Sequence, residues 1–314
     1  MRNIIQEYSV FSQYFAPSDK NSLLFLGEQI SQRHLYYNDK LIGIIGDAGS
    51  GKSSLIKGMF PGLELSNDDD TLNSRKIMQV RDLFEDIQDA TSYHIDTRFQ
   101  MAFTQMHEIV MFVQHILAKG RRVVVEHFDL LYPALGINAD LIVGIGEEII
   151  VTRPSMFGPL PQSIHEIVSK SLHYRKMAHT VEDITILLLT DEFGITDDMF
   201  FNADMRNGFV LKFFEEVEID FDRLYKKVRE ILDKNLIINY YDENNILIGD
   251  RLVPCKGPRI HIRNTSEVKE FCFIKKLIKD YKTNTYCLIG SFTNNPDVDV
   301  SNWNTMHFLK RKDF

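Results

Sequence analysis

The chain has 314 residues and a mass of 36.5 kDa, and its 44 acidic against 36 basic side chains give a formal charge of -8. With 44% hydrophobic and 25% charged residues it has a globular composition, which excludes a disordered chain. The length predicts two domains. The net negative charge excludes indiscriminate nucleic-acid binding, because that mode depends on Lys and Arg displacing counterions from phosphates.

The charge is unevenly distributed along the chain. Residues 251–314 contain 12 basic and 6 acidic side chains, a net charge of +6, so residues 1–250 carry -14. Such an asymmetry is typical of a nucleic-acid-facing or membrane-facing end, and equally of a solvated basic face. The sequence leaves these alternatives open.

A glycine-rich loop follows the first apolar run. The run Leu41–Ile45 predicts a strand, the segment GDAGSGKSS comes next, and the apolar-periodic LIKGMF predicts a helix. The loop fits G-x-x-x-x-G-K-[ST], and a chance match in a chain of this length is about one in a hundred. This predicts a P-loop for ATP or GTP, the alternative being a glycine-rich turn with an incidental lysine. The predicted nucleotide-binding residues are Gly46, Asp47, Ala48, Gly49, Ser50, Gly51, Lys52, Ser53 and Ser54.

Each residue type in the loop has a physical role. Glycines let the backbone approach a phosphate, and N–H groups at the start of the helix point at the anion. Lys52 is expected to reach the terminal phosphates, and the Ser53 hydroxyl to hold Mg²⁺.

Two acidic residues are candidates for catalysis beside Lys52. The apolar strand VVV ends in Glu126, which we expect to place the metal or orient water, although any strand can end in an acid. Asp69 lies in an acidic turn, at the place where P-loop kinases carry the general base for the acceptor hydroxyl. The alternative for Asp69 is an ordinary solvated loop.

Residues 1–155 are predicted to form one α/β domain. Helical periodicity over 92–118 precedes the VVV strand, and residues 141–146 and 147–153 form further β-rich runs, which predicts a doubly wound parallel sheet with flanking helices. The P-loop and the VVVEHF strand resemble the P-loop kinases of the uridine kinase type, over about residues 20–150, more than AAA ATPases. This resemblance implies phosphoryl transfer to a small acceptor.

The second domain, residues 162–314, follows a Pro/Gly-rich linker at 154–161. A long helix is predicted over 162–189, followed by strand, helix and strand up to residue 241. These segments and RLVPCKGPRIHIRNTSEVKEFCFIKK resemble the second additional domain of alanyl- and threonyl-tRNA synthetases and of free-standing alanyl-tRNA editing proteins. The resemblance covers about residues 165–290 and implies an α+β fold.

That family binds zinc with H-x-x-x-H on a helix and C-x-x-x-H in a later loop, and hydrolyses misacylated tRNA. His179 matches the first helix histidine, Asp183 stands in place of the second, and Cys255 and His261 match the loop ligands with the longer spacing C-x5-H. His179 and Asp183 share a helix face, and Asp is an acceptable zinc ligand. Whether the longer loop closes the site stays open, the alternatives being a buried helix histidine and, for Cys255, a small buried hydrophobe.

The family's Thr-x-Glu phrase is kept by Thr265 and Glu267, and basic side chains surround the motif. They are candidates for binding a tRNA acceptor end or another polyanion, but no RNP1-like motif supports sequence-specific reading of RNA. The basic residues are Lys256, Arg259, Arg263, Lys275, Lys276, Lys279 and Lys282.

Three cysteines, Cys255, Cys272 and Cys287, are too few and odd in number for a disulfide framework, which favours a reducing compartment. We see no apolar h-region near residue 1, and the most apolar run, at 184–189, is far shorter than the roughly 18 residues that span a bilayer. We therefore expect a cytoplasmic protein with no membrane partner.

Three functions remain open from the sequence. The first is an ATPase or phosphotransferase whose substrate the second domain presents or gates. The second is a metal-dependent aminoacyl-tRNA hydrolase that nucleotide regulates. The third is a non-enzymatic sensor of nucleotide and of a tRNA-like or amino-acid-like ligand. The first requires ATP or GTP with Mg²⁺, and the second requires Zn²⁺.

Overall fold

The computed structural model describes residues 11–66, 91–257, 259–296, 299–301 and 303–304. The protein is of the mixed α/β type, and it divides into two compact units, Met1–Leu172 and His173–Phe314. The division falls inside the helix Pro161–Phe193 and not in the Pro/Gly-rich stretch before it. Within the described residues, no helix has the length and apolar character needed to cross a membrane.

A six-stranded mixed sheet forms the centre of the first unit, in the order β1-β6-β5-β2-β4-β3. Strands β3, β4, β2 and β5 run parallel, as predicted, whereas β6 and β1 are antiparallel to their neighbours. The expectation of a wholly parallel sheet is wrong at this edge, because only two residues separate β5 from β6 and so short a turn joins antiparallel strands. The strands are β1 (Ser12–Phe15), β2 (Leu41–Ile45), β3 (Ser92–Asp96), β4 (Arg122–Glu126), β5 (Leu141–Ile145) and β6 (Glu148–Thr152).

Helices cover both faces of this sheet. In the central strand, Leu41 and Ile45 belong to one hydrophobic cluster, and Ile42 and Ile44 to the cluster on the opposite face. Burial on both faces explains why the strand is a continuous apolar run. The helices described in this unit are α1 (Lys20–His34), α2 (Lys52–Met59), α3 (Thr97–Gln100), α4 (Met106–Ala118) and α5 (Phe128–Leu135), and α6 (Pro161–Phe193) contains the boundary with the second unit.

The segment predicted as helical from residue 92 begins with strand β3 instead. Pairing with β4 buries Tyr93 and Ile95, and this tertiary contact overrides the local helical pattern. The Asp96 side chain then caps α3 by accepting a hydrogen bond from the Phe99 N–H at 3.0 Å. The correction matters because it brings His94 and Asp96 to the carboxyl end of the parallel strands.

The second unit combines helices with two antiparallel sheets, one of five strands and one of three. Helix α7 (Phe221–Leu232) buries Leu224, Val228 and Leu232, whose four-residue spacing places them on one face. Where the sequence predicted one strand before this helix, the structure has the hairpin β7–β8. The strands are β7 (Phe200–Met205), β8 (Gly208–Phe213), β9 (Ile238–Tyr240), β10 (Asn245–Ile248), β11 (Arg251–Pro254), β12 (Cys272–Phe273), β13 (Ile278–Asp280) and β14 (Thr285–Ser291).

Candidate functional site

The glycine-rich loop connects β2 to α2 at the carboxyl end of the parallel strands. Gly51 has a φ of 93°, and a Cβ at this position would lie 2.7 Å from Leu23 Cδ1. A Cβ on Gly46 would lie 2.7 Å from the Ile145 carbonyl oxygen. Both positions therefore require glycine, one for its conformation and its packing and the other for close approach.

Lys52 begins helix α2 and is almost fully buried, with 6% of its surface exposed. Its Nζ donates to the Asp47 carbonyl oxygen at 3.0 Å and lies 3.8 Å from Glu126 Oε2. Burial lowers the pKa of Lys52, and the negative charges of Glu126 and Asp96 oppose that change. The Ser53 side chain, in the first turn of α2, is exposed to solvent.

Glu126 reaches the loop because β4 is the direct parallel neighbour of β2, with Ile44 opposite Glu126. Its Oε1 lies 3.2 Å from His94 Nε2. Burial raises the pKa of Glu126, but the hydrogen bond to His94 and the positive charge of Lys52 outweigh it and leave the pKa below its usual value. The carboxylate is therefore ionised beside the lysine at neutral pH.

Three site residues escaped the sequence prediction. These residues are His94, Asp96 and His127. Asp96 and His127 offer ligand atoms within 4.8 Å of each other and of the predicted Glu126, and His94 contacts Glu126. Burial and the Lys52 charge lower the pKa of His127. The available signal was limited to the polar residues of the phrase HID, at 94–96, and of the phrase VEH, which ends the apolar run VVV. The other predicted catalytic residue, Asp69, lies outside the described residues.

The second unit brings His179, Asp183, Cys255 and His261 into one buried cluster, with their ligand atoms within 4.8 Å of one another. Cys255 Sγ lies 3.3 Å from His179 Nε2 and 3.1 Å from His261 Nε2. Asp183 Oδ2 lies 3.9 Å from His179 Nε2 and 3.6 Å from His261 Nε2. Helix α6 supplies His179 and Asp183, and the chain after β11 supplies the other two.

Neighbouring groups orient the two imidazoles. His179 Nδ1 lies 3.5 Å from Glu182 Oε2, and His261 Nδ1 lies 3.1 Å from Thr180 Oγ1, so both Nε2 atoms face the cluster. Within the described part of the chain, the buried Asp183 Oδ2 has no hydrogen-bond partner. Two imidazoles, a thiol and a carboxylate are side chains of the types that bind Zn²⁺ in proteins, so these four residues are candidate metal ligands.

The ionisation of the cluster follows from burial and close contact. Burial raises the pKa of Asp183 to about 6 and raises the pKa of the Cys255 thiol. For His179, burial lowers the pKa, but the Asp183 carboxylate and the contacts with Cys255 and Glu182 raise it well above the usual value. Burial and the His179 charge hold the pKa of His261 well below its usual range. A proton in the cluster is therefore favoured on His179, and His261 stays neutral.

The long C-x5-H loop closes on itself. Gly257 N–H donates to Cys255 Sγ at 3.2 Å, and Ile260 N–H donates to the Gly257 carbonyl at 2.9 Å. Beyond His261, the Ile262 N–H donates to Thr180 Oγ1 at 3.3 Å. These bonds bring Cys255 and His261 together despite the two additional residues.

Thr265 and Glu267 do not join the cluster. Thr265 Oγ1 donates to the Leu232 carbonyl at 3.0 Å, and Glu267 Oε1 accepts the Arg263 and Asn264 N–H groups. Both residues stabilise the chain that follows His261. Of the basic residues, Lys279 is partly buried and the others are exposed: Lys256, Arg259, Arg263, Lys275, Lys276 and Lys282.

Comparison with known proteins gives no family assignment. No protein-family model matches the chain, and no curated protein matches it significantly. The geometry of the loop and of the cluster is therefore the basis for the function proposed below.

Proposed function

We propose that the first unit binds a nucleoside triphosphate through residues 46–54 and catalyses its hydrolysis or the transfer of its terminal phosphoryl group. The observation that carries this proposal is the contact between Lys52 and Glu126, at the carboxyl ends of two adjacent parallel strands and the start of a helix. Open α/β sheets bind ligands at this edge, and a helix N-terminus favours phosphate.

Lys52, Ser53 and Glu126 have different roles in the proposed site. Lys52 has three N–H donors, of which one bonds Asp47, so the ammonium can also face a phosphate. Ser53, exposed beside it, would hold Mg²⁺, which supplies charge neutralisation of the phosphates when bound. The ionised Glu126 would accept a hydrogen bond from an attacking water. The direct adjacency of β4 and β2 supports the resemblance to P-loop kinases.

Replacing Lys52 tests this proposal. For Lys52→Ala we expect nucleotide affinity to fall about ten- to a hundredfold, the range for losing charge-assisted hydrogen bonds. The measurement is a fluorescence titration with mant-ATP and Mg²⁺. Lys57→Ala, in the same helix, is the matched control and should bind as wild type does. Equal affinities in all three proteins would refute nucleotide binding by this loop.

Hydrolysis of ATP and GTP, with and without bulk tRNA, separates the forms of the proposal. Turnover without tRNA would identify an NTPase, and stimulation by tRNA would couple the two units. Tight binding without turnover would support a sensor. A phosphotransferase would require transfer of labelled phosphate to an added acceptor.

A second function is favoured by the cluster in the second unit, which we propose to bind Zn²⁺. Zinc bonds of about 2.0–2.1 Å to nitrogen and 2.3 Å to sulfur place tetrahedral ligands about 3.3–3.6 Å apart. The measured separations of 3.1–3.9 Å are close to those values. The cation would satisfy Asp183 Oδ2 and supply the positive charge that a proton on His179 otherwise provides.

With zinc, this unit would have the chemistry of the editing proteins that its sequence resembles, the hydrolysis of an aminoacyl-tRNA ester. Zinc supplies Lewis-acid polarisation when bound. The chain's own contribution is to fix the imidazoles through Glu182 and Thr180. Four protein ligands complete a tetrahedron, as in structural sites, so hydrolysis further requires room for water or substrate at the ion.

Metal content distinguishes these possibilities. We expect one zinc per chain by mass spectrometry, and loss of that zinc in His179→Ala. His173→Ala, an exposed histidine of the same helix, should retain the metal. No zinc after supplementation would refute the site. Bound zinc without deacylation of mischarged tRNA would assign the centre a structural role.

A further inference from the structure

A series of hydrogen bonds connects Ser66, which follows α2, through His94 to the carboxylate of Glu126 beside the glycine-rich loop. Ser66 contacts His94 Nδ1 through its N–H at 3.0 Å and its Oγ at 3.1 Å, and His94 Nε2 lies 3.2 Å from Glu126 Oε1. The His94 side chain is 0% exposed and that of Glu126 is 1% exposed. Buried bonds of this kind fix side-chain orientation.

The Ser66 backbone determines the tautomer of His94. An N–H group can only donate, so Nδ1 must accept and cannot carry a proton. The single proton of the neutral ring is then on Nε2, where its partner is Glu126 Oε1. Because an ionised carboxylate can only accept, His94 Nε2–H is the donor and Glu126 Oε1 is the acceptor of this hydrogen bond.

The same bonds argue against a serine nucleophile. Activation of the Ser66 hydroxyl would require a free lone pair on His94, but the Ser66 N–H occupies the lone pair on Nδ1. The hydroxyl oxygen itself accepts the Asp96 N–H at 3.2 Å. Ser66 therefore holds the imidazole in place. Its backbone N–H donates to His94 Nδ1, and His94 Nε2–H in turn donates to Glu126 Oε1.

We infer that His94 is a positioning residue for Glu126, holding Oε1 so that Oε2 stays 3.8 Å from Lys52 Nζ. This inference rests on the proposed nucleotide site. A glutamate has three side-chain torsions, and the imidazole removes the freedom of the last two. Glu126 then meets Mg-nucleotide already oriented, which favours the charged transition state.

Two isosteric variants separate positioning from anchoring. In His94→Asn, the amide oxygen takes the place of Nδ1 and keeps the bond from Ser66, but nothing reaches Glu126. In His94→Gln, the amide N–H takes the place of Nε2 and keeps the bond to Glu126, but the Nδ1 acceptor is lost. Both are compared with wild type in mant-ATP titrations, with Mg²⁺ or with EDTA, and in steady-state hydrolysis.

We expect His94→Asn to lower Mg-dependent affinity and kcat by about ten- to a hundredfold, the range for partners of a ligating group, while affinity in EDTA is unchanged. His94→Gln should stay within a few-fold of wild type. In a Glu126→Gln background, His94→Asn should have no further effect. The inference is overturned by a wild-type-like His94→Asn, by a His94→Gln as impaired as His94→Asn, or by full additivity with Glu126→Gln.

A measurement on the unmodified protein covers the case in which the variants do not fold. Nitrogen-15 NMR of histidine-labelled wild type should show His94 neutral and protonated at Nε2. Protonation at Nδ1 would overturn the inference. Absence of nucleotide binding by wild type would refute the proposed function instead, so the two failures are distinguishable.

Discussion

The loop of the first unit and the cluster of the second are built in opposite ways. The loop consists of consecutive residues, 46–54, and its shape depends on backbone conformation at Gly51. The cluster joins two segments 76 positions apart, from His179 to Cys255, and depends on side-chain geometry. The difference teaches that consecutive residues are enough to encode the proposed phosphate site, whereas the proposed zinc site is assembled only when the chain folds.

The two sites also differ in how they neutralise charge. The loop buries a cation, Lys52, beside the carboxylate of Glu126, and its proposed ligand is an anion. The cluster buries the carboxylate of Asp183 and the thiol of Cys255 beside two imidazoles, and its proposed ligand is a cation. Ligands of opposite sign should therefore stabilise different units of the same chain.

Chelation should have the largest effect, and only on the second unit. At 1,000 times the dissociation constant, zinc contributes about 4 kcal/mol, which corresponds to roughly 10 °C in a unit of this size. Calorimetry of the zinc-loaded protein should therefore show one of two transitions falling on addition of EDTA. If both transitions shift equally, or neither shifts, the assignment of the metal to one unit is wrong.

Mg-ATP should produce a smaller shift in the other transition. At 100 times the dissociation constant the gain is about 2.7 kcal/mol, or roughly 5–10 °C. The shift should disappear in Lys52→Ala and persist in Lys57→Ala. A shift in the zinc-dependent transition instead would mean that the nucleotide binds elsewhere.

Replacing Gly51 tests whether backbone geometry defines the loop. Gly51→Ala should cost about 2–3 kcal/mol, because a positive φ and contact with Leu23 act together. Gly120→Ala, with a φ of 70° and open space around its Cβ, should cost about 1 kcal/mol. Urea unfolding measures both. Equal losses would show that the contact with Leu23 relaxes.

A surface pair provides the smallest expected effect and a control for the buried charges. Lys212 donates to Asp280 at 2.7 Å and, with Thr283, lowers the pKa of Asp280. A depressed carboxyl pKa adds stability above the unfolded value, near 4, and that stability is lost as pH falls. Asp280→Asn should therefore lower the urea midpoint slightly at pH 7 and less at pH 3. A larger effect at pH 3 would contradict this sign.

Local sequence patterns predicted most of the elements around the loop of the first unit, but fewer of the residues that form its site. The strand, loop and helix around Gly46 and Lys52 followed from neighbouring residues, and so did the position of Glu126. The strand β3 did not, because pairing with β4 overrides its helical periodicity. His94 was missed for the same reason, since it lies on β3 and its partner Glu126 lies on the neighbouring strand β4.

In the second unit, the spacing of His179 and Asp183 predicted a shared helix face, and resemblance suggested their partners. Closure of the longer loop could not be predicted, because it depends on the turn at Gly257 and on Thr180, which lies on another element. The roles of Thr265 and Glu267 could not be predicted either, because a match to the family's Thr-x-Glu phrase does not distinguish a metal ligand from a residue that stabilises the loop.

Strand β1 has a consequence for handling the protein in solution. Ser12–Phe15 pairs with β6, a buried strand with Ile149, Ile150 and Val151 at its centre, and β1 ends the described sheet on that side. Removing residues 11–15 would expose the unpaired N–H and C=O groups of β6. An exposed apolar edge strand recruits strands from other molecules, so a shortened form should aggregate even with the loop and the cluster unchanged.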